Sequence, residues 1–293
     1  MISFIFEQYG YYPNNIVFNI FEVDGWMFKL IEVNCDEEYL DSIEKYLDLI
    51  RKSFLKQGIF IIKSRFNNRI VTYDNKKYVL VSCLKNTLTI KDLNKFHSIF
   101  EMPNEKINLK NLISVWEERL SYIEKNAVAS LRIDSVYYTE NLQNAMYIIG
   151  LAQNSIQYLS ELILDFDHEI EDVSLTHKRL ENLDSFEFFN PFNFIIDHPI
   201  RDLVELYKYN IISFDDMMEL LKYYKMSPKL GTYLMVRYLY PGKMLDELEN
   251  NINKNNSGFK LKYNLETELQ KTKKIYSFLK KECNIRPIRW LET

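Results

Sequence analysis

A change of hydrophobic periodicity near residue 86 is the feature that most constrains the fold. Before it, runs of β-branched and aromatic residues are separated by turn dipeptides, Asp24-Gly25 and Asp74-Asn75, which predicts antiparallel hairpins. Between the hairpins, Asp36 is placed to cap a helix whose apolar residues recur every three or four positions. After Thr87 nearly every segment has helical spacing, including a long helix over Glu140–Asp165. We therefore predict an α+β chain.

The predicted chain has two parts. Residues 1–86 form a small lobe, an antiparallel sheet with one helix, and residues 87–293 form a large, mostly helical lobe. Two stretches interrupt the helical part. Residues 166–200 are irregular and include a predicted degenerate catalytic loop at 172–200, and residues 251–258, NINKNNSG, have the composition of a solvated loop.

Composition excludes several classes of protein. A net charge of -4 and a pI near 5.7 do not provide the excess positive charge that nucleic-acid binding requires. The three cysteines include no Cys-x-x-Cys pair, so neither a zinc site nor a disulfide framework is expected. The first residues, MISFIFEQYGYY, lack the basic and small-residue signals of a secretory leader, and no apolar run reaches the ~18 residues of a membrane span. We expect cytoplasmic synthesis and no membrane span.

The segment 172–207 carries the most specific motif. Phosphotransferases of the protein-kinase type place an Asp two residues after a His, where the Asp accepts the proton of the attacking hydroxyl. Here that triplet is His177-Lys178-Arg179. A guanidinium cannot act as a base, because it does not lose its proton in a protein. The segment therefore looks like a kinase catalytic loop that lacks its carboxylate.

Three motifs, SLTHKRL, IIDHPIRDL and the terminal IRPIRWL, together with the order of elements, resemble the spore coat kinase-like proteins. The YutH type is the most similar, beside the CotS type, within the aminoglycoside phosphotransferase and choline kinase-like superfamily. The resemblance implies a bilobal, protein-kinase-like fold. It also implies expression during sporulation in an endospore-forming bacterium and association with the spore coat.

The metal-binding positions that the resemblance implies are degenerate. Asp184 lies seven residues after His177, where related kinases carry a metal-binding Asn, and an Asp there could hold Mg²⁺ or be a solvated turn residue. The second metal position has two alternatives. Counting from His177 gives Asp197, whereas alignment of DHPIRDL with the CotS type gives Asn190, which leaves no strong metal ligand.

Nucleotide-binding residues are few. Lys29, in a predicted strand, and Glu44, on the following helix, have the spacing of a Lys–Glu pair that holds phosphates, although a strand lysine also serves as a solvent-facing residue. The phosphate-covering loop should be rich in glycine, but EQYGYYPNN offers only Gly10 among bulky tyrosines. We expect an ordinary turn at the end of a strand there.

Three further residues are predicted to be structural. Asp202 begins a helix and can accept hydrogen bonds from loop residues, with Arg201 or Arg179 neutralising its charge. His198, like His177, is expected to brace the backbone of the loop.

These residues favour a catalytically degenerate protein, a pseudokinase, that serves as a structural or scaffolding component, with spore coat proteins as partners and no cofactor. The alternative is an active small-molecule phosphotransferase that uses Mg-ATP, with Asp184 or Asp197 holding the metal and Lys29 the nucleotide. A third hypothesis is a helical interaction protein unrelated to kinases.

Overall fold

The structure is a computed structural model, and it describes residues 1–54, 58–254, 259–261 and 264–292. Contacts between Cα atoms divide the chain into two compact units. The first unit comprises Met1–Phe100 and Leu180–Ile195, and the second comprises Glu101–Arg179 and Ile196–Thr293. The predicted division at residue 86 stays a prediction.

The described elements follow in chain order. They are α1 (Ile2–Tyr9), β1 (Ile20–Val23), β2 (Trp26–Glu32), α2 (Glu37–Ser53), β3 (Phe60–Ile62), β4 (Ile70–Tyr73), β5 (Lys76–Leu84), α3 (Ile90–Ile99), β6 (Ile107–Asn108), α4 (Leu109–Ser130), α5 (Tyr138–Asp165), β7 (Glu169–Ile170), β8 (Ser174–His177), α6 (Ser185–Phe188), β9 (Phe194–Asp197), α7 (Ile200–Lys208), α8 (Phe214–Leu221), α9 (Pro228–Leu239), α10 (Gly242–Lys254) and α11 (Leu265–Cys283). The α+β prediction is confirmed.

The first unit is built on an antiparallel sheet of strand order β1-β2-β5-β3, with β4 also paired to β5. Asp24 and Gly25 both have positive φ, at 50° and 78°, and so do Asp74 and Asn75. Turns with two left-handed residues match the twist of adjacent strands, which is why these dipeptides close the hairpins β1–β2 and β4–β5.

Helix α1 was not predicted. Residues 2–9 form a helix, and Gly10, with φ of 80°, is its C-cap, so the expected strand-end turn at this glycine is wrong. A left-handed residue is the common way to end a helix, and glycine adopts it without strain. The buried side of α1 packs against one face of the sheet in a cluster of apolar residues: Phe4, Ile5, Tyr9, Phe21, Phe28, Leu30, Val71, Tyr78 and Leu80.

Residues 180–195 belong to the first unit. The Leu88 amide donates to the carbonyl of Leu183, at 2.7 Å, and the Ser185 amide donates to the carbonyl of Asn86, at 3.0 Å. Three aromatic side chains of this segment, Phe188, Phe189 and Phe194, contact the rings of a cluster that also contains Phe54, Phe96 and Phe100. The segment is thus fixed by backbone bonds and aromatic packing.

The second unit is mostly helical, and α5 lies at its centre. Helix α5 packs against α4 and α9, and α9 in turn contacts α7 and α11. Among the apolar residues whose spacing predicts α5, Met146 is exposed and Leu142 and Ile163 are half-buried. The others are buried: Ile149, Ile156, Leu159 and Leu162. The predicted solvated loop at 251–258 is wrong in its first residues, because α10 continues to Lys254 and Asn251 is buried, donating to Ser130. Residues 255–258 lie outside the described residues.

None of the described helices combines the length and the hydropathy that crossing a membrane requires.

Candidate functional site

The predicted site residues fall into two groups. Those of the second unit, His177, Arg179, Asp197, His198, Arg201 and Asp202, are considered first, and those of the first unit, Lys29, Glu44, Asp184 and Asn190, afterwards.

Asp197 ends β9 and is buried, with only 1% of its surface exposed. Its Oδ1 accepts hydrogen bonds from the His198 amide and from the Tyr233 hydroxyl, both at 2.7 Å. Its Oδ2 accepts from Arg201 Nη1, at 2.8 Å, and from Arg237 Nη2. An ionised carboxylate has about four lone-pair sites. All four are therefore engaged by protein donors.

Two guanidinium groups thus surround one carboxylate. Burial would raise the pKa of Asp197, but Arg237 and Arg201 oppose this and hold that pKa below its usual value. The carboxylate is consequently charged at neutral pH, and the cluster keeps an excess positive charge. At an effective dielectric constant of ~20, two unit charges ~4 Å apart interact by ~4 kcal/mol, so a dication placed here would be repelled strongly by both guanidinium groups.

Sequence reasoning missed Arg237 and Tyr233. They lie four residues apart on α9, so their side chains share one face, and Arg237 Nε also donates to the Tyr233 hydroxyl oxygen at 2.8 Å. The signal was available: Arg237 is the one charge within the apolar run Leu234–Tyr240, and an arginine is rarely buried unless it is paired.

Asp202 and His177 form a second buried pair. Both side chains have no exposed surface, and His177 Nδ1 lies 2.7 Å from Asp202 Oδ2. The His177 amide donates to Asp202 Oδ1 at 2.9 Å. Asp202 thereby holds both the ring and the backbone of the first residue of the triplet.

Arg179, which stands where a catalytic carboxylate is expected, is bound to α10. Its Nη2 lies 3.1 Å from Asp246 Oδ2, and its Nη1 donates to the Lys178 carbonyl at 2.8 Å. A Cβ atom on Gly242 would come within 2.4 Å of Arg179 Nη2, so glycine leaves the space that the guanidinium occupies. Asp246 also accepts from Arg119 of α4, at 2.5 Å. The triplet is thus tied to two helices.

Arg201 forms an ion pair with Asp197. Besides that ion pair, Arg201 donates to the carbonyls of His177, at 2.8 Å, and Lys178, at 2.9 Å. The prediction that Arg201 or Arg179 neutralises Asp202 stays a prediction. His198 Nδ1 accepts from the Ile200 amide, at 3.2 Å, which braces the start of α7. Arginine presents several donors in a rigid plane, and here it links the loop and the strand end.

In the first unit, Lys29 and Glu44 are not brought together as an ion pair. Glu44 Oε1 accepts from Arg51 Nη2 at 2.6 Å, and within the described part of the chain no ion pair forms at Lys29, which is half-buried between Ile20 and Val81 on neighbouring strands.

Asp184 and Asn190 both cap short helical turns. Asp184 is exposed, and its Oδ1 accepts from the Glu187 amide at 2.9 Å, at the start of α6. Asn190 Oδ1 accepts from the Phe192 amide at 3.2 Å, at the start of a single 3₁₀ turn. Among the described residues, no group of three or more His, Cys, Asp or Glu side chains is arranged to hold a metal ion.

Comparison with known proteins gives the family and the fold. The family model described as "Spore coat putative kinase YutH" matches residues 2–282. The comparison with curated proteins gave no match.

Among solved structures, an aminoglycoside phosphotransferase from Alicyclobacillus acidocaldarius is similar over 92% of this chain and 91% of its own, with 9% identity and a TM-score of 0.54. An AMP-bound spectinomycin phosphotransferase is similar over 95% and 93%, with 12% identity and a TM-score of 0.53. A choline kinase from Streptococcus pneumoniae covers 88% and 89%, with 12% identity and a TM-score of 0.46. The first two of these structures confirm the kinase-like α+β fold predicted from the sequence. The antiparallel sheet of the first unit and the family match contradict the third hypothesis, a helical interaction protein unrelated to kinases.

Proposed function

The chain belongs to the spore coat YutH family, within the aminoglycoside phosphotransferase and choline kinase-like superfamily, and on that premise we propose that it is a catalytically inactive member that serves as a scaffolding component of the spore coat. The observation that carries this proposal is the saturation of Asp197 by four protein donors. A carboxylate in that state has no lone pair left for Mg²⁺.

Three further observations support the proposal. Arg179, at the position of the general base, is a permanently charged donor held by Asp246. Asp184 is engaged as a helix cap, and Asn190 carries no charge. Losing a general base alone costs ~10²–10⁴ in rate, so Arg179 by itself would not decide the matter. Together, the residues that a Mg-ATP complex would need do not fit that complex.

Nucleotide binding is the direct test. Thermal unfolding of the purified chain is measured with and without Mg-ATP, beside the variants Asp197→Ala and Asp184→Ala. We expect no stabilisation by Mg-ATP. A ligand at ~100 times its dissociation constant stabilises by ~2.7 kcal/mol, so binding would be plainly visible. Stabilisation that disappears in either variant, or transfer of the γ-phosphate to any acceptor, would establish the alternative, an active phosphotransferase.

The scaffolding role is tested in sporulating cells. A strain that lacks the gene is complemented with the native chain or with the double variant Lys29→Met and Asp184→Asn, which removes two groups that the alternative needs and leaves the buried Asp197 cluster intact. We expect the variant to be incorporated in the coat and to restore it as fully as the native chain does. Incorporation without restoration would mean that catalysis is required, and absence of the native protein from extracted coats would refute the coat assignment.

A further inference from the structure

A cavity of about 580 Å³ lies in the second unit, and none of the residues of the Asp197 cluster line it. One wall is the side of α5 that carries Asn154, Gln157 and Tyr158, and the other is the tail segment 286–290. This volume is within the range of ~300–1,000 Å³ that is typical of ligand sites. The tail segment lies within the IRPIRWL motif, residues 285–291, to which the proposed function assigns no role.

The tail segment is held in place by several contacts. The Tyr158 hydroxyl donates to the Arg286 carbonyl at 2.6 Å, and the Arg286 guanidinium pairs with Asp165 and, at 3.6 Å, with Glu161. The Ile288 amide donates to the Tyr276 hydroxyl oxygen at 3.1 Å. A wall fixed in this way loses little conformational entropy when a ligand binds, so the cavity is preorganised.

Arg289 gives the cavity its charge. The charge of Arg286 is balanced by Asp165 and Glu161, whereas the exposed Arg289 side chain has neither a hydrogen bond nor an ion pair within residues 1–54, 58–254, 259–261 and 264–292. A guanidinium group presents a fork of donors that matches a carboxylate. The positive charge of Arg289 is therefore complementary to a carboxylate of a ligand.

The remaining lining resembles the centre of a protein–protein interface. Trp, Tyr and Arg are the residue types most often found at binding hot spots, and Trp290, Tyr158 and Arg289 all line this cavity. Leu239 and Ile288 add apolar surface. We propose that the cavity docks an acidic segment of a partner protein, with a carboxylate on Arg289 and an adjacent apolar side chain against Trp290. The inference relies on the scaffolding role only for its biological setting.

The test is calorimetric titration of the full-length protein with a synthetic peptide of alternating glutamate and leucine. The matched probe is the same peptide with glutamine in place of glutamate. The variant is Arg289→Glu, and Lys281→Glu is its control, since it makes the same charge change on an 82% exposed side chain of α11 that does not line the cavity. We expect the acidic peptide to bind, Arg289→Glu to weaken binding by about tenfold or more, and Lys281→Glu to bind like the native chain.

Tryptophan fluorescence locates the peptide. We expect a change on binding that is absent in Trp290→Phe. Failure of the acidic peptide to bind, equal binding by the glutamine peptide, or unchanged binding by Arg289→Glu would each overturn the proposal. Self-association of the chain that Arg289→Glu abolishes would assign the cavity to a second copy and would equally overturn it. None of these outcomes depends on phosphotransfer, so failure here is distinguishable from failure of the proposed function.

Discussion

Replacing Asp197 with asparagine removes the charge of the buried cluster and leaves its shape nearly unchanged. Arg201 and Arg237 would then face each other without a carboxylate, and the new amide group would direct its own donors at theirs. Removing one partner of a buried ion pair costs ~3–5 kcal/mol, because the remaining charge is neither hydrated nor compensated. We expect Asp197→Asn to lower the free energy of unfolding by that amount.

The measurement is urea unfolding in a chelating buffer without Mg²⁺. In this buffer the two roles of Asp197 predict changes of different sign in the free energy of unfolding of Asp197→Asn. If Asp197 were a metal ligand, it would be an uncompensated carboxylate in the absence of metal, and its neutralisation would leave stability unchanged or raise it. If it holds the guanidinium groups, stability falls with no metal present. Unchanged or increased stability of Asp197→Asn in this buffer would refute the assignment of Asp197 as an internal counter-ion.

A matched control is Asp184→Asn. Asp184 is exposed and caps one short helix, and asparagine caps helices about as well as aspartate does, so we expect a loss well below 1 kcal/mol. A loss in Asp184→Asn equal to that in Asp197→Asn would indicate a general effect of removing acidic groups.

The pH dependence gives an independent check. The pKa of Asp197 is lower in the folded state than the ordinary value of 3.8, so the folded state binds fewer protons there than the unfolded chain does. Its contribution is complete above the ordinary pKa and disappears as the pH falls through the folded value. The native chain and Asp197→Asn should therefore differ most near neutral pH and converge in strong acid.

Three other perturbations test single contacts. Gly242→Ala should lower the free energy of unfolding by about 1 kcal/mol, because the new Cβ displaces the guanidinium of Arg179, and it should lower it no further in an Arg179→Ala background. The control is Gly150→Ala, where a helical Cβ meets no atom within 4 Å and we expect a gain of ~0.5–1 kcal/mol in the same quantity. Thermal unfolding of the four variants measures these changes. Burial lowers the pKa of Lys208 to about 8, so the unfolded chain binds more protons at this residue than the folded chain does from about pH 8 to 10. The free energy of unfolding of the native chain should therefore rise across that window, by up to about 3 kcal/mol, when it is measured by urea unfolding. Lys208→Met should lack this rise. Asp202→Ala should cost about 2–4 kcal/mol in the same assay, and Asp202→Asn should cost less, because the amide oxygen can still accept the loop amide.

Much of the fold could be predicted because its signals are local. Asp24-Gly25 and Asp74-Asn75 close hairpins through their own backbone preferences, and Asp36 caps α2 by accepting from the Tyr39 amide three residues away. Helix α1 was missed because eight residues give only two turns of periodicity, and its apolar side is defined by the sheet on which it packs.

The candidate site was only half predictable. The triplet His177-Lys178-Arg179 predicts a kinase-like catalytic loop without its base, since this prediction depends on residue types that are adjacent in the chain. Whether Asp197 can bind a metal depends on Arg237, forty residues further along the chain. The side chain of Arg179 is held by an ion pair with Asp246, sixty-seven residues away. Neither contact is visible in the local sequence.

The sequence by itself determined the class of fold, the family and the absence of a carboxylate two residues after His177, because each of these is encoded in neighbouring side chains and in periodicity. Only the tertiary structure decided what Asp197 does. The charge state and the partners of a buried carboxylate are set by the donors that folding brings to it, and here α7 and α9 bring two guanidinium groups and a phenol.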